Sequence, residues 1–393
     1  MSRGKDEFTV RGVLLGESWA SDVVVRAGKV VKVKRMGGGG ADVGSTDTII
    51  APTLFDIQVN GYGGVDLQGS KVTTADVRKV ADLLAAQGVS HWIPTLITGS
   101  QDEMEHGCRV LAEARQDRTV ARAIPGIHLE GPYISPMDGP RGAHPKAHVR
   151  KPSVREFDRF MKAAGGRILY VTLAPEVPGA MAFIRALRKR GVVVSIGHHY
   201  ADEKAIAKAV GAGAQLSTHL GNGMKAEIPR HVNPLWPQLA EDRLSASLIP
   251  DLEHLPRAAL KTFVRVKGPA RTILTSDVLH IAGLKPGKYD LMGQPVEMLR
   301  SGRVCLSGTE LLAGSSLGLL QGVVNAACVT DLTIEQAFAC ASTIPARLFG
   351  LRHAFVSPKV GMTAEFVAFD VDKSASPWKA TVRASFVGGR RMA

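Results

Sequence analysis

Four residues in this chain stand where a strand-like apolar run gives out. They are Glu130 in "ARAIPGIHLEGP", His198 in "VVVSIGHHY", His219 in "AQLSTHLGN" and Asp277 in "RTILTSDV". One glutamate and two histidines supply three donors that suit a divalent metal and leave it a coordination position for water. An aspartate that is not a ligand, placed beside that water, can take its proton. Each residue also has an ordinary reading: His198 and His219 as buried, hydrogen-bonded histidines, Asp277 as a helix cap, Glu130 as a loop cap, His128 as a satisfied core histidine. For any one of them alone the ordinary reading is preferable. Four such residues closing four separate runs favour a shared site. His199, next to His198, should point elsewhere on its turn. The run "DIQVNG" ends with Asp56, Gln58 and Asn60, and amide side chains are poor ligands, so one metal ion is expected rather than two. Zinc is the first expectation; iron, manganese and cobalt suit the same donors. A nearby cation would offset the cost of burying Asp277 and hold its pKa low.

For these residues to meet, their strands must be parallel neighbours. The strand candidates are "PTLFDIQV", "SHWIPTL", "ARAIPGIHL", "RILYVTLA", "GVVVSIG", "AQLSTHL", "LSASLIP" and "RTILTSD". Amphipathic stretches such as "TTADVRKVADLLAAQG" and "DEKAIAKAVGAG" lie between them, several closed by the glycine expected at a helix end. About eight such units predict a TIM-like (β/α)8 barrel, whose site lies at the C-terminal ends of its strands. A doubly wound sheet is the alternative, but "NGYGGVDLQG" does not lead from glycines into a helix as a phosphate-binding turn would. The first fifty residues and the last thirty read instead as short strands, with a hairpin signal at Ala27-Gly28. The expected organisation is a small β-sandwich domain from residues 1–51 plus 364–393, around a catalytic barrel of residues 52–363.

Composition narrows the class. Of 393 residues 45% are hydrophobic and 22% charged, as in an ordinary globular protein and not a disordered one. No run approaches the roughly 20 apolar residues of a membrane span, and "MSRGKDEFTV" lacks the apolar centre of a secretion signal. The cysteines, Cys108, Cys305, Cys328 and Cys340, form no CxxC pair. A reducing, cytoplasmic location is expected. The net charge of +13 is spread along the chain, without a basic tail or a nucleic-acid motif, so no nucleic-acid partner is expected.

The quoted motifs, together with "FDIQVNGYGG", "PTLIT", "GAHP", "VTLAPE", "STHLGNGM", "TSDVLHIAG", "LAGSSLGLLQGVVNAA" and "ASTIPARLFGL", resemble the N-acetylglucosamine-6-phosphate deacetylase family of the amidohydrolase superfamily over nearly the whole chain. The order "HLEGP", "GH", "THL", "SD" is specific to it. The resemblance implies a metal held by Glu130, His198 and His219, Asp277 as catalytic acid and base, and a homodimer. It places Ala143, His144, Asn222, Gly223, Arg230, His254 and Leu312, Ala313 and Gly314 around a sugar phosphate. His144 would stabilise the oxyanion, and Arg230 with His254 would bind phosphate, with His254 a candidate to reach a neighbour's site. Three departures stand out: Gly221 and Gly223 in "THLGNGM" where "THL-x-NAM" is usual, "IPDLEH" in place of "ADG-x-H", and His280 in "SDVLHIAG". The expected reaction is removal of the acetyl group from N-acetylglucosamine 6-phosphate. The alternatives are another N-acyl amino sugar, a cyclic amide, or a sugar-phosphate binding protein without catalysis.

Overall fold

A computed structural model describes residues 7–291, 293–351 and 355–393, so residues 1–6 of the N-terminal stretch lie outside it. The chain opens with β1 (Glu7–Leu14), β2 (Ala20–Arg26), β3 (Lys29–Arg35) and β4 (Val43–Pro52). Ala27 and Gly28 both take positive φ and close the β2–β3 hairpin, as a two-residue turn between twisted strands requires. β4 runs directly into β5 (Leu54–Val59), the first barrel strand.

After the short hairpin β6 (Gly61–Tyr62) and β7 (Val65–Asp66), the barrel continues through β8 (Val89–Ile97), β9 (Ile127–Glu130), β10 (Ile168–Leu173), β11 (Val193–Ile196), β12 (Leu216–Ser217), β13 (Ser245–Leu248) and β14 (Thr272–Leu274). These strands and β5 form one eight-stranded parallel sheet in sequence order. A parallel bridge from Val59 to Val278, and the Asn60 N–H bonded to Val278 O at 2.9 Å, join its two ends. The chain is an α/β barrel, and the strands read as unbroken apolar runs because both faces are covered. Phe55, Ile57, Ile93, Tyr170, Val193, Leu216 and Ile273 pack together in one buried cluster. Helices start where the sequence supplies caps: Thr73 with Asp76 and Ser100 with Glu103 form capping boxes.

Two segments differ from the sequence reading. The start of "ARAIPGIHL" is helical, Arg118–Ala123, because the Asp117 side chain caps Thr119 and Val120. The strand begins only at Ile127, after Pro125. Between the last barrel strand and the helix Leu319–Val329 lies an unanticipated antiparallel sheet, β15 (Gly287–Leu291), β16 (Gln294–Met298) and β17 (Val304–Leu306). It packs its apolar side on Leu279, Ile281 and Ala313, and Gln294 Nε2 donates to Ala143 O at 3.1 Å. Finally β18 (Phe366–Asp372), β19 (Lys379–Val387) and β20 (Arg390–Arg391) return to β4, completing the seven-stranded sheet of the small β-sandwich domain from both termini.

Candidate active site

Glu130 is the last residue of β9; His198 and His219 lie two residues beyond β11 and β12, and Asp277 three beyond β14. His198, His219 and Asp277 each have positive φ, 52°, 30° and 50°. Left-handed backbone at a residue with a Cβ costs about 1–3 kcal/mol and persists where its surroundings over-determine it, commonly at functional sites. The ordinary reading holds for His128: it is fully buried, bonded to Thr95 Oγ1 and Thr172 Oγ1 and stacked on Tyr170. His199 is likewise buried, and its Nδ1 accepts from the Ala201 N–H.

Glu130 Oε1 lies 3.1 Å from His198 Nε2 and 2.9 Å from His219 Nε2, and the two Nε2 atoms are 3.0 Å apart. All three side chains are buried. Burial alone would raise the Glu130 pKa, but the contacts to His198 and His219 outweigh it and hold the carboxyl well below its usual range. His198 Nδ1–H donates to Pro140 O at 2.9 Å, which leaves the Nε2 lone pair facing the cluster. Two imidazole nitrogens and a carboxylate oxygen turned toward one another suit a divalent cation.

Glu130, His144 and His198 also offer donor atoms within 4.8 Å of one another. His144 Nε2 is 3.2 Å from His198 Nε2, while its Nδ1 lies 2.9 Å from Thr98 Oγ1 and 3.4 Å from the Thr98 backbone N–H. A lone pair on Nδ1 facing that N–H leaves the proton on Nε2, the tautomer in which His144 donates into the site. Burial, reinforced by His198, pushes its pKa well down, so the ring is neutral. Glu130 and His198 thus bring donor atoms together both with His219 and with His144.

The amides at the end of β5 have roles the sequence did not reveal. Gln58 Nε2 donates to Glu130 Oε1 at 3.1 Å, and Asn60 Nδ2 to Asp277 Oδ1 at 2.7 Å. Asp56 accepts from Thr275 Oγ1 and the Ser276 N–H, fixing the turn before Asp277. Burial and the Glu130 charge push Asp277 up to about 7, against the opposing pull of His219, His254 and Asn60. The expected low pKa thus depends on a cation that the side chains alone do not replace.

These residues open into a cavity of about 480 Å³. Its wall includes Ala143, His144, Asn222, Gly223 and His254, together with Leu312, Ala313 and Gly314. Arg230 is not in it: its side chain is exposed, in a segment where Trp236 Nε1 donates to Arg230 O. His254 faces this chain's own cavity, where Nδ1 meets Asp251 Oδ2 at 2.7 Å. Burial opposes its cation, but Asp251 outweighs it and raises the pKa above the usual histidine value. In the "IPDLEH" turn, Leu252 takes φ 69° where the family commonly has glycine, and its side chain packs against the core. His280 is buried, with Nδ1 4.0 Å from Asp66 Oδ2.

A parallel barrel with a metal-competent Glu/His/His cluster and an aspartate at its strand ends is the architecture of the amidohydrolase family, whose profile matches residues 49–391; the chain belongs to that family. Within it, the chain is 33% identical over 374 residues to human N-acetylglucosamine-6-phosphate deacetylase, covering 90% of this chain and 89% of the relative. It is 31% identical over 322 residues to the N-acetylgalactosamine-6-phosphate deacetylase of Escherichia coli O157:H7, covering 82% and 84%. The N-acetyl-D-glucosamine-6-phosphate deacetylase of Mycobacterium smegmatis, solved as a mutant in complex with N-acetyl-D-glucosamine-6-phosphate, superposes with a TM-score of 0.84 at 27% identity, over 99% of this chain and 100% of that one. No helix among the described residues is long and apolar enough to cross a membrane.

Proposed function

We propose that this protein removes the acetyl group from N-acetylglucosamine 6-phosphate, giving glucosamine 6-phosphate and acetate. The observation that carries the reading is the meeting of Glu130, His198 and His219 beside Asp277 at the floor of one cavity. We assign one divalent ion, zinc first, to Glu130, His198 and His219; when bound it supplies Lewis acidity to a water and to the amide carbonyl. Asn60 occupies Asp277 Oδ1, so Oδ2 accepts the proton of the attacking water and returns it to the departing nitrogen. Amines leave poorly unless protonated, so one carboxylate working in both directions suits amide cleavage. His144 Nε2–H donates to the carbonyl oxygen as negative charge develops there. Ala143, Asn222, Gly223 and Leu312–Gly314 line the sugar, and cationic His254 favours the phosphate. We assign the enzyme to the cytoplasm, as four unpaired cysteines fit. A homodimer is supported by Val232 and Trp236, exposed beside Arg230, which would reach a phosphate only from a second copy.

The 31% identical relative named for N-acetylgalactosamine 6-phosphate makes that epimer the second reading. The test is acetate release from each sugar phosphate by metal-loaded and metal-stripped protein. Release from the gluco substrate, lost on stripping and restored on reloading, is expected. Release confined to the galacto epimer would transfer the assignment.

Gly223 yields a separate prediction. A Cβ there would lie 2.9 Å from His198 Nδ1, on a backbone with φ 59°. The alanine usual in the family would therefore press on the ring whose Nδ1–H is held by Pro140. Gly223→Ala should weaken metal binding by roughly ten- to a hundredfold, the scale of losing a ligand's outer support. Metal retained after dialysis at fixed free zinc checks this; unchanged retention would contradict it.

A further inference from the structure

The cavity holds the buried carboxylates of Glu130 and Asp277, so a phosphate on the same substrate is held away from them, by cations. Arg230 does not reach that space from within the chain. Lys225 and Arg303 do line it, along with His254. Lys225 Nζ sits over the Tyr200 ring at 4.6 Å and offers a point charge. Arg303 offers a fork that matches phosphate geometry.

Arg303 is also the better anchored of the two. It immediately precedes β17, in the added antiparallel sheet. Its carbonyl accepts from Leu299 N–H at 2.8 Å, and Ala313 N–H donates to Val304 O at 3.1 Å, tying its backbone to the Leu312–Gly314 wall. Its side chain is 29% exposed; Nε donates to Cys305 Sγ at 3.2 Å, and Nη2 donates to Glu310 Oε2 at 2.9 Å and to the Glu310 backbone carbonyl at 3.2 Å. Nη1 lies 3.8 Å from Glu253 Oε2, beyond hydrogen-bond range, next to His254. Glu310 itself is 96% exposed. An ion pair to so solvated a carboxylate contributes little, and the carboxylate returns to water at small cost.

We propose that Arg303 is the intrachain anchor for the substrate phosphate, and that Glu310 is a counter-ion which the phosphate displaces; the substrate class rests on the function proposed above. Phosphate replaces the Glu310 carboxylate at Nη2, whose second contact to the Glu310 carbonyl stays, and completes the fork through Nη1, with His254 beside it. The added sheet then has a purpose: it carries a specificity residue to the rim of the barrel.

Titration calorimetry of the holoenzyme with glucosamine 6-phosphate and with glucosamine tests this. Arg303→Ala should weaken the sugar phosphate by roughly ten- to a hundredfold and shift glucosamine little, with Arg303→Lys recovering part of the loss. Glu310→Gln, an exposed change that spares the fold, should tighten the sugar phosphate. Wild-type affinity in Arg303→Ala, no phosphate preference in the wild type, or the whole loss appearing in Lys225→Ala instead would overturn the proposal. Should Arg303→Ala melt early, unchanged or weaker binding in Glu310→Gln overturns it alone. Arg303-dependent phosphate binding without acetate release would sink the deacetylation reading and keep the anchor; acetate release with Arg303-independent binding would do the reverse.

Discussion

Asp277→Asn should lower kcat by about 10²–10⁴-fold or more, the usual contribution of general acid–base catalysis, while metal content stays near normal. Asparagine preserves the shape and the contact with Asn60 but cannot accept a proton at Oδ2. KM should move far less, because the sugar and phosphate are assigned to other residues. The pH profile supplies a second readout. Only the ionised carboxylate accepts a proton, so kcat/KM should rise with pH through the Asp277 pKa. That pKa lies below the value of about 7 reached without a cation, because a nearby cation favours the ionised carboxylate. The limb should vanish in the variant. The sign for stability is opposite. A raised carboxyl pKa means the metal-free native state holds the proton more tightly than the unfolded chain does. The corresponding stability is present below about pH 4 and lost as pH rises through about 7, a loss that denaturant midpoints should find missing in Asp277→Asn. Near-normal turnover with metal retained would end the general-base role; lost metal would make Asp277 a ligand.

Glu130→Ala should remove both metal and activity while the barrel remains folded. The glutamate is buried, and its Oε1 meets both histidine nitrogens and Gln58 Nε2. Without it, two imidazole nitrogens face each other with no carboxylate to compensate a divalent charge. The expected result is bound metal falling to a small fraction of one per chain by elemental analysis, and kcat/KM falling by several orders of magnitude. Full metal occupancy in this variant would take Glu130 out of the site and turn attention to His144, whose Nε2 is 3.2 Å from His198.

The barrel is legible in the sequence because eight β-branched, apolar runs alternate with capped amphipathic segments, and each run contains a strand, although "ARAIPGIHL" begins as helix. The candidate ligands are legible because polar residues that close apolar runs are conspicuous. Their partners are not. Gln58 and Asn60 look like poor ligands, and nothing in "DIQVNG" says that one reaches Glu130 on β9 and the other Asp277 beyond β14, 72 and 217 residues away. The positive φ of His198, His219 and Asp277 is hidden for the same reason, since tertiary contacts impose it. Arg230 is a loop residue whose reach cannot be read from spacing; it lies on the exposed surface and not in this chain's cavity. The β15–β17 sheet escaped because its strands are short, and β16 carries Pro295 directly after Gly293 and Gln294. Arg303 was hidden with it.

The most direct test of the whole account compares kcat/KM for acetate release from N-acetylglucosamine 6-phosphate and from N-acetylglucosamine, using wild-type protein at full metal occupancy. A cavity that ends in cationic side chains should favour the phosphorylated sugar by about ten- to a hundredfold or more, the scale of charge-assisted contacts. Equal rates on both sugars, or no acetate from either with the metal in place, would contradict it.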